Sequence, residues 1–243
     1  MYKPLHELAT VEYGKSPNEV RDPDGQYPIY GTGGLVGLAN KFLFDRNGIV
    51  VARKGTLDKP SFVGGSYWVI DTAYATLPKD GVDAKWLYYC LDSYDLRKLN
   101  EATGVPSISR DYLYRVEFHT PELEQQQKIA KILTSVDEVI EKTQAQIDKL
   151  KDLKTGMMQE LLTRGVGVDG KPHTEFKDSP VGRIPKGWEV LPLSKVAKLE
   201  RGKFSHRPRN DPSFYNGDIP FLQTGDIPKK SPYITKYSQT LNE

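Results

Sequence analysis

Cysteine is nearly absent from this sequence, since Cys90 is its one thiol in 243 residues. A single cysteine excludes a disulfide framework within the chain and is typical of proteins from a reducing compartment. No apolar run approaches the roughly 20 residues that a membrane-spanning helix needs. The opening residues, MYKPLHELAT, lack the apolar core of a signal peptide. We therefore expect a soluble, cytoplasmic protein that does not bind a membrane.

Grouped metal ligands and catalytic motifs are also lacking. The four histidines share no spacing; they are His6, His119, His173 and His206. We expect no metal site and no cofactor bound by this chain. Asp169 with Glu175-Phe176-Lys177 has the acidic pair and lysine of metal-dependent nucleases, but we expect these residues to lie in a linker without strands. No Asn-Pro-Pro-Tyr-like element of adenine methyltransferases is present. We predict that the chain is not an enzyme.

The charge distribution gives little direct indication of a partner. The formal net charge is +2, with 34 Lys and Arg against 32 Asp and Glu. Only residues 165–243 carry a regional excess of positive charge, 13 basic against 9 acidic residues. The densest basic run is RGKFSHRPR at 201–209, which contacts phosphates or is a solvated loop. A prediction of nucleic-acid binding therefore has to rest on particular residues rather than on bulk charge.

The longest regular pattern spans Pro121 to Gly165, where apolar residues recur in alternating steps of four and three. These seam residues are Ile129, Leu133, Val136, Ile140, Ile147, Leu150, Met157 and Leu161. The pattern predicts a helix over 121–164, on the order of 60 Å long, that pairs with another helix as a coiled coil. The alternative is an ordinary core helix. Thr143 and Lys154 interrupt the seam, and they either set its register or lie where the helix leaves its partner.

Residues 1–120 have the pattern of a mixed α+β domain. GIVVARKGT (48–56) predicts a buried strand that leads into a basic turn. SYWVIDTAYATL (66–77) predicts one or two further strands, because it is rich in aromatic and β-branched residues. WLYYCLDSYDLRKL (86–99) predicts a helix, and VEFHTP (116–121) predicts a last strand. The expected fold class is therefore α+β, with a mixed α/β domain followed by one long coiled-coil-type helix.

After a linker, the sequence contains a segment that resembles the start of the chain. Residues 165–187 are rich in glycine, proline and charge, and Gly165 is placed as a left-handed cap of the helix. PLSKVAKLERGK (192–203) then matches PLHELATVEYGK (4–15) at six of twelve positions, and IPFLQTG (219–225) matches YPIYGTG (27–33) at three of seven. Two matches in order indicate a duplication. We expect 188–243 to be the start of an incomplete second domain that packs against the first domain, the helix or another chain, because so short a segment rarely builds a stable core alone.

The combination resembles the DNA-specificity subunit of Type I restriction-modification enzymes. The resemblance rests on PELEQQQKIAKILTSVDEVIEK (121–142), LLTRG (161–165) and HTEFKDSPVGRIPKGWEVLPLSKVA (173–197). YPIYGTGGLVGLANKF (27–42), VVARKGT (50–56) and TGVPSISRDYL (103–113) resemble one class of target-recognition domain. The N-terminus lacks the PKGWE-like segment that usually precedes such a domain. A second complete recognition domain and a second helix are also lacking.

The resemblance implies a division of labour. In the family, two recognition domains each read half of an interrupted DNA sequence, and two antiparallel helices hold the domains apart. Methyltransferase (M) subunits bind S-adenosylmethionine and methylate adenine, and motor-nuclease (R) subunits cleave unmodified DNA. With one helix and one complete domain, this chain would pair with a second copy and read a palindromic site. The rival hypothesis is an interaction module that pairs through its helix and does not bind specific DNA.

The candidate DNA-binding residues lie in three glycine-containing or polar stretches of the first domain. Glycine turns allow close approach to DNA, arginine supplies a planar fork, lysine supplies a point charge, and short polar side chains reach base edges. The G-rich run GTGGLVG (31–37) is not a proper phosphate-binding loop. The candidates are Tyr30, Gly31, Gly33, Lys41, Arg53, Lys54, Thr56, Thr103, Ser107, Ser109 and Arg110.

Overall fold

A computed structural model of the chain describes residues 1–201, 211–229 and 233–242. The chain divides into two compact units, Met1–Lys154 and Thr155–Glu243. The long helix predicted over 121–164 is present as a single helix of 41 residues, Leu123–Thr163, and it crosses the boundary between the units. Gly165, two residues beyond the helix end, has the positive φ of +65° that the sequence predicted for a cap.

The first unit combines short strands with helices of one to three turns before the long helix. Its strands are β1 (Tyr2–Pro4), β2 (Ala9–Tyr13), β3 (Tyr27–Gly31), β4 (Gly34–Ala39), β5 (Phe44–Asp45), β6 (Gly48–Ala52), β7 (Ser61–Val63), β8 (Ser66–Val69), β9 (Ala73–Pro78) and β10 (Glu117–His119). Its α-helices are α1 (Leu5–Leu8), α2 (Ala84–Ser93), α3 (Arg110–Tyr114) and the larger part of α4 (Leu123–Thr163). The α+β prediction is confirmed.

Two four-stranded sheets form the body of this unit. The first sheet is antiparallel with strand order β2-β9-β6-β7. The second has the order β4-β3-β8-β5 and is mixed, because β3 and β8 run parallel. A separate antiparallel pair joins β1 to β10, so the chain start lies beside the strand that precedes α4.

Strand β6 is buried along its whole length because both of its faces are covered. Ile49 and Val51 belong to the cluster that contains Trp86, Leu87 and Leu91 of α2. Val50, which points to the opposite face, packs instead with Tyr67 and Val69 of β8. The first sheet therefore lies between a helical layer and the second sheet. This double burial explains the continuous apolar run in the sequence of β6.

The sequence predicted a single helix over residues 86–99, but the structure divides this region into two elements. Helix α2 ends at Ser93, and a 3₁₀ turn follows at Leu96–Leu99. Tyr94 adopts an extended conformation, with φ −85° and ψ 130°, and this breaks the helix. The break turns Leu96 into the main core, where it is fully buried. Helical spacing alone does not reveal such a break, because Leu96 and Leu99 keep the apolar period.

A polar stripe fastens the start of α4 to the first unit. The buried side chain of Gln126 accepts a hydrogen bond from the Asp83 N–H (2.9 Å) and donates to the Pro121 carbonyl (2.9 Å). Three turns further along, the Tyr89 hydroxyl donates to Asp137 (2.6 Å). These contacts fix the direction in which α4 leaves the domain.

The apolar seam of α4 is left exposed. All eight seam residues are exposed, with Leu133 the least exposed at 38% and Leu150 the most at 64%. Ile132, Val139 and Leu153 widen the apolar face on one side and are also exposed. An apolar face of this length is costly in water. The prediction of a core helix is therefore disfavoured, and the seam is available to a partner helix.

The predicted linker contains regular structure. Strands β11 (Phe176–Lys177) and β12 (Ile184–Pro185) form a small antiparallel hairpin inside 165–187. The expectation that Glu175-Phe176-Lys177 lies in a linker without strands is therefore wrong. Strands of two residues have no periodicity, so the sequence pattern could not indicate them. The other elements of the second unit are α5 (Leu193–Val196), β13 (Tyr215–Phe221) and β14 (Gln239–Leu241), with 3₁₀ turns at Pro212–Phe214 and Thr224–Asp226.

The repeat seen in the sequence has the same local geometry in both copies. Pro4 precedes α1 with φ −71° and ψ 152°, and Pro192 precedes α5 with φ −65° and ψ 145°. Each helix has four residues and is closed by an alanine N–H that bonds to the carbonyl of the first leucine. This agreement supports the duplication.

The two copies of the repeat differ in how far their corresponding apolar residues are buried. Leu5, Leu8 and Val11 are 0–1% exposed in the first copy. Their counterparts Leu193, Val196 and Leu199 are 57%, 63% and 79% exposed. The first copy is covered by β9, α2 and α3, whereas the described part of the second unit does not cover the equivalent leucines and valine.

The Gln126 junction yields a stability test. We expect Gln126→Ala to destabilise the first unit by about 1–3 kcal/mol, because it leaves the partly buried Asp83 N–H without an acceptor and empties the buried position of Gln126. Gln127→Ala, one residue along on an exposed position, serves as the matched control. Thermal unfolding followed by circular dichroism measures both variants. Equal unfolding temperatures for the two variants would contradict the proposed role of Gln126.

Candidate nucleic-acid interface

Several loops of the first unit meet at one end of the first sheet. In the antiparallel register Tyr13 of β2 pairs with Tyr74 of β9, and Ala52 of β6 pairs with Ala73. The segments that follow β2 and β6 and precede β9 therefore leave the sheet side by side. We call this end the loop face and define it as residues 13–15, 31–34, 53–56, 71–72 and 100–110.

The basic turn after β6 is held by backbone hydrogen bonds. The N–H groups of Arg53 and Lys54 both donate to the Thr72 carbonyl, at 2.9 and 3.0 Å. The Arg53 guanidinium donates to the Asp71 carbonyl at 3.0 Å. Gly55 has a φ of +92°, a conformation that glycine adopts at little cost. The turn leaves the Lys54 side chain in solvent.

The second predicted stretch, Thr103 to Arg110, lies directly against this turn. The Gly55 N–H donates to the Pro106 carbonyl (2.8 Å), and the Ile108 N–H donates to the Arg53 carbonyl (2.9 Å). Lys54 and Ser107 form an isolated antiparallel bridge. Two stretches that are half the domain apart in sequence therefore form one surface. The third stretch reaches it through Thr32, whose hydroxyl would lie 3.7 Å from a Cβ placed on Gly55.

Tyr13 is a member of the loop face that the sequence did not indicate. The guanidinium carbons of Arg53 and Arg110 lie 5.4 and 5.1 Å from the centre of its ring. Tyr74 packs edge-on against the same ring at 5.2 Å. Burial raises the pKa of Tyr74 to about 12, so its hydroxyl stays protonated and donates to the Ile108 carbonyl at 3.1 Å. The sequence does contain an indication of this position. Ala9, Val11 and Tyr13 alternate along β2 and share one face of the strand, and Tyr13 is the member of this series that lies beyond the core.

Arg110 carries an unsatisfied group. Its Nε is buried and has no hydrogen-bond partner among the residues that the structure describes. An orphaned buried donor costs about 1–3 kcal/mol, so this arrangement does not serve stability alone. The Glu101 carboxylate accepts the N–H of the preceding residue, Ser109, at 2.9 Å.

The small polar residues of the 103–110 stretch have different surroundings. Ser109 caps α3, because its hydroxyl accepts the Tyr112 N–H at 3.4 Å. The Ser107 N–H donates to the Asn100 side chain at 2.9 Å, which fixes the loop. Thr103 and Thr56 are exposed. The structure therefore gives Ser109 a local structural role in addition to any contact with a ligand.

Three other candidates are placed less favourably. Tyr30 packs edge-on against the buried Tyr67, at 6.2 Å between ring centres, as part of the second core. Gly31 is buried, and a Cβ there would lie 2.9 Å from the Cδ1 of Ile70. Lys41 is exposed but follows Ala39, which pairs with Tyr27 at the opposite end of the β3–β4 hairpin from Gly31. The loop face therefore does not include Lys41.

Three further observations concern metal ligands, the cysteine thiol and the lengths of the helices. No group of three or more His, Cys, Asp and Glu side chains arranged to hold a metal is present in residues 1–201, 211–229 and 233–242. Burial raises the pKa of the Cys90 thiol to about 12, which keeps it protonated. Within the same ranges no helix has the length and apolar character needed to cross a bilayer. The basic run 201–209 lies, apart from Arg201, outside the described residues.

Comparisons with known proteins agree on one family. A family model described as the Type I restriction modification DNA specificity domain matches residues 1–152. The MjaVIII specificity subunit of Methanocaldococcus jannaschii is 31% identical over 205 residues, which is 79% of this chain and 47% of the relative. The MjaIX specificity subunit of the same organism is 30% identical over 161 residues, which is 63% of this chain and 36% of the relative.

A solved structure supports the fold. The S subunit of a Type I restriction-modification system from M. genitalium has a TM-score of 0.54 and 21% identity, over 66% of this chain and 45% of that chain. The chain thus spans less than half the length of each of these relatives.

The two loop glycines Gly31 and Gly33 differ in the space that an added methyl group would meet. We expect Gly31→Ala to destabilise the first unit by about 1–3 kcal/mol, because the new methyl group overpacks Ile70. Gly33→Ala should leave stability unchanged, since a Cβ there meets no atom within 4 Å. Thermal unfolding of both variants measures the difference. A Gly33→Ala variant as unstable as Gly31→Ala would show that this account of the turn is wrong.

Proposed function

Because the chain belongs to the Type I restriction modification DNA specificity family, we propose that its loop face reads half of an interrupted target in double-stranded DNA. The observation that carries this proposal is the convergence of Arg53, Lys54 and Arg110 on one rigid surface at the end of the first sheet. Specific reading requires donors that are fixed against base edges and cations that bind phosphates and set the register. The backbone hydrogen bonds of 53–55 and 106–108 supply that rigidity.

The chain itself performs no chemistry in this proposal. It positions methyltransferase subunits, which carry S-adenosylmethionine, and, through the complex, motor-nuclease subunits. The exposed seam of α4 is the surface that we assign to assembly, because its eight apolar residues have no partner within the described part of the chain.

The seam also supports self-association. A second copy can lie antiparallel along α4, bury the seam of both helices and present two loop faces. The resulting two-fold symmetry matches a palindromic interrupted target. The length of α4, 41 residues, then sets the spacing between the half-sites.

The competing function is an interaction module without specific DNA binding. It is favoured by the exposure of the seam and of Leu193, Val196 and Leu199, all of which suit protein partners. The two functions differ in their response to salt. Binding to DNA through phosphates weakens steeply as salt concentration rises, whereas apolar association does not.

The basic turn provides the direct test of DNA binding. We expect the double variant Arg53→Ala, Lys54→Ala to weaken DNA binding and to lower the slope of log K against log salt by about one for each lost phosphate contact. Fluorescence anisotropy with a labelled duplex at several salt concentrations measures both quantities. Lys41→Ala removes an exposed cation outside the loop face and is the matched control.

Two results would contradict DNA binding through the loop face. If Lys41→Ala weakens binding as much as the double variant does, the loop face is not the DNA site. If the wild-type chain shows no salt-dependent binding, the interaction-module hypothesis replaces the proposed function.

The seam provides a test of self-association. We expect Ile147→Glu to convert a dimer into a monomer, because it places a charge in the paired apolar face. Lys149→Glu adds the same side chain two residues away, off the seam, and should leave the dimer intact. Sedimentation velocity over a range of concentrations distinguishes the species. A wild-type chain that stays monomeric at the highest concentration would rule out the homodimer.

A further inference from the structure

Tyr13 gathers two arginines that come from different elements. Arg53 follows β6 and Arg110 begins α3, yet both guanidinium groups lie within 5.4 Å of the centre of the Tyr13 ring. The ring itself is 45% exposed, so the cluster lies at the surface rather than in the core. A guanidinium stacked on an aromatic ring keeps its in-plane N–H groups available for hydrogen bonds.

Each member of the cluster is fixed from behind. Tyr13 is held by its strand pairing with Tyr74 and by the edge-on contact of the two rings. Arg53 is held through its backbone N–H and through its guanidinium bond to the Asp71 carbonyl. Arg110 is the first residue of α3, whose start is capped by Ser109, and its guanidinium is held by the Tyr13 ring and by the burial of its Nε. The two forks are therefore oriented before any ligand arrives, which lowers the entropy that binding costs.

The neighbouring lysine has the opposite character. Lys54 is exposed, and no ring contact like that of Arg53 and Arg110 is found for its side chain among the described residues. A flexible point charge suits a phosphate, whereas a stacked planar fork suits two acceptors in one plane. Among the four bases, guanine offers such a pair, O6 and N7, on its major-groove edge. The loop face thus combines one lysine that suits a phosphate with two arginine guanidinium groups that suit the edge of a base.

We propose that Tyr13 is a positioning residue that presents Arg53 and Arg110 to guanine in the target DNA. This inference rests on the proposed function and narrows it, because it assigns at least one guanine to the half-site that the first unit reads. It also distinguishes the arginines from Lys54, which contacts the backbone of the DNA.

The experiment uses the full chain in complex with its methyltransferase subunit. The target is first identified from the adenine methylation that the complex produces. Each guanine of the target is then replaced in turn by 7-deazaguanine, which keeps base pairing and removes the N7 acceptor. We expect wild-type binding to weaken about tenfold at one or more positions. Tyr13→Phe should keep this dependence, since the stacking ring is retained.

Arginine-to-lysine variants separate base reading from phosphate binding. Arg53→Lys and Arg110→Lys keep the charge but lose the fork, so each should bind the natural and substituted duplexes with affinities that differ by less than about twofold at the guanine it reads. Tyr13→Ala should lose the same discrimination. Should Tyr13→Ala fail to fold, as judged by circular dichroism, the two lysine variants carry the test.

The outcomes are distinct. Wild-type binding that is indifferent to every 7-deazaguanine overturns the inference, and so do lysine variants that keep full discrimination. In both cases specific DNA binding, and with it the proposed function, still stands. A wild-type complex that binds no DNA overturns the proposed function itself.

Discussion

The antiparallel pairing of β2, β9 and β6 is the constraint on which the loop face depends. This pairing brings the end of β2, the end of β6 and the start of β9 to one edge. Because β6 is buried on both faces, its register cannot slip without moving Ile49 and Val51 out of the core. The positions of Arg53 and Lys54 are therefore fixed by packing several residues away. The loops of the loop face are therefore held in position by the core beneath them.

The long helix extends the same principle beyond the domain. Gln126 and Asp137 are tied to α2 and to the segment that precedes it, so the direction of α4 is coupled to the layer that covers the first sheet. The rest of α4 exposes an apolar seam. A helix that is anchored at one end and apolar along its length is suited to hold recognition units at a set distance. The equivalent leucines and valine of the second copy, Leu193, Val196 and Leu199, are exposed as well.

Regular patterns made much of this fold predictable from sequence. The seam predicted α4, the β-branched runs predicted β6, β8 and β9, and Gly165 predicted the helix end. The sequence did not predict the β11–β12 hairpin, whose strands are too short to show a period, or the break at Tyr94, which leaves the helical spacing of the apolar residues unchanged. For the candidate interface, the sequence indicated the stretches around Arg53 and Arg110 but not their contact. The sequence did not indicate Tyr13, because its place in the loop face depends on pairing across the sheet. Tyr30 and Lys41 stay predictions, and glycine-rich surroundings do not reveal that Lys41 lies at the opposite end of the hairpin from Gly31.

The most direct test of the central claim is long-read mapping of N6-methyladenine in cells that express this chain with its methyltransferase subunit. We expect new methylation at one interrupted motif, and a palindromic motif would follow from pairing of two copies along α4. The absence of any new motif, with the methyltransferase subunit shown to be present and folded, would contradict the claim that the loop face confers DNA specificity.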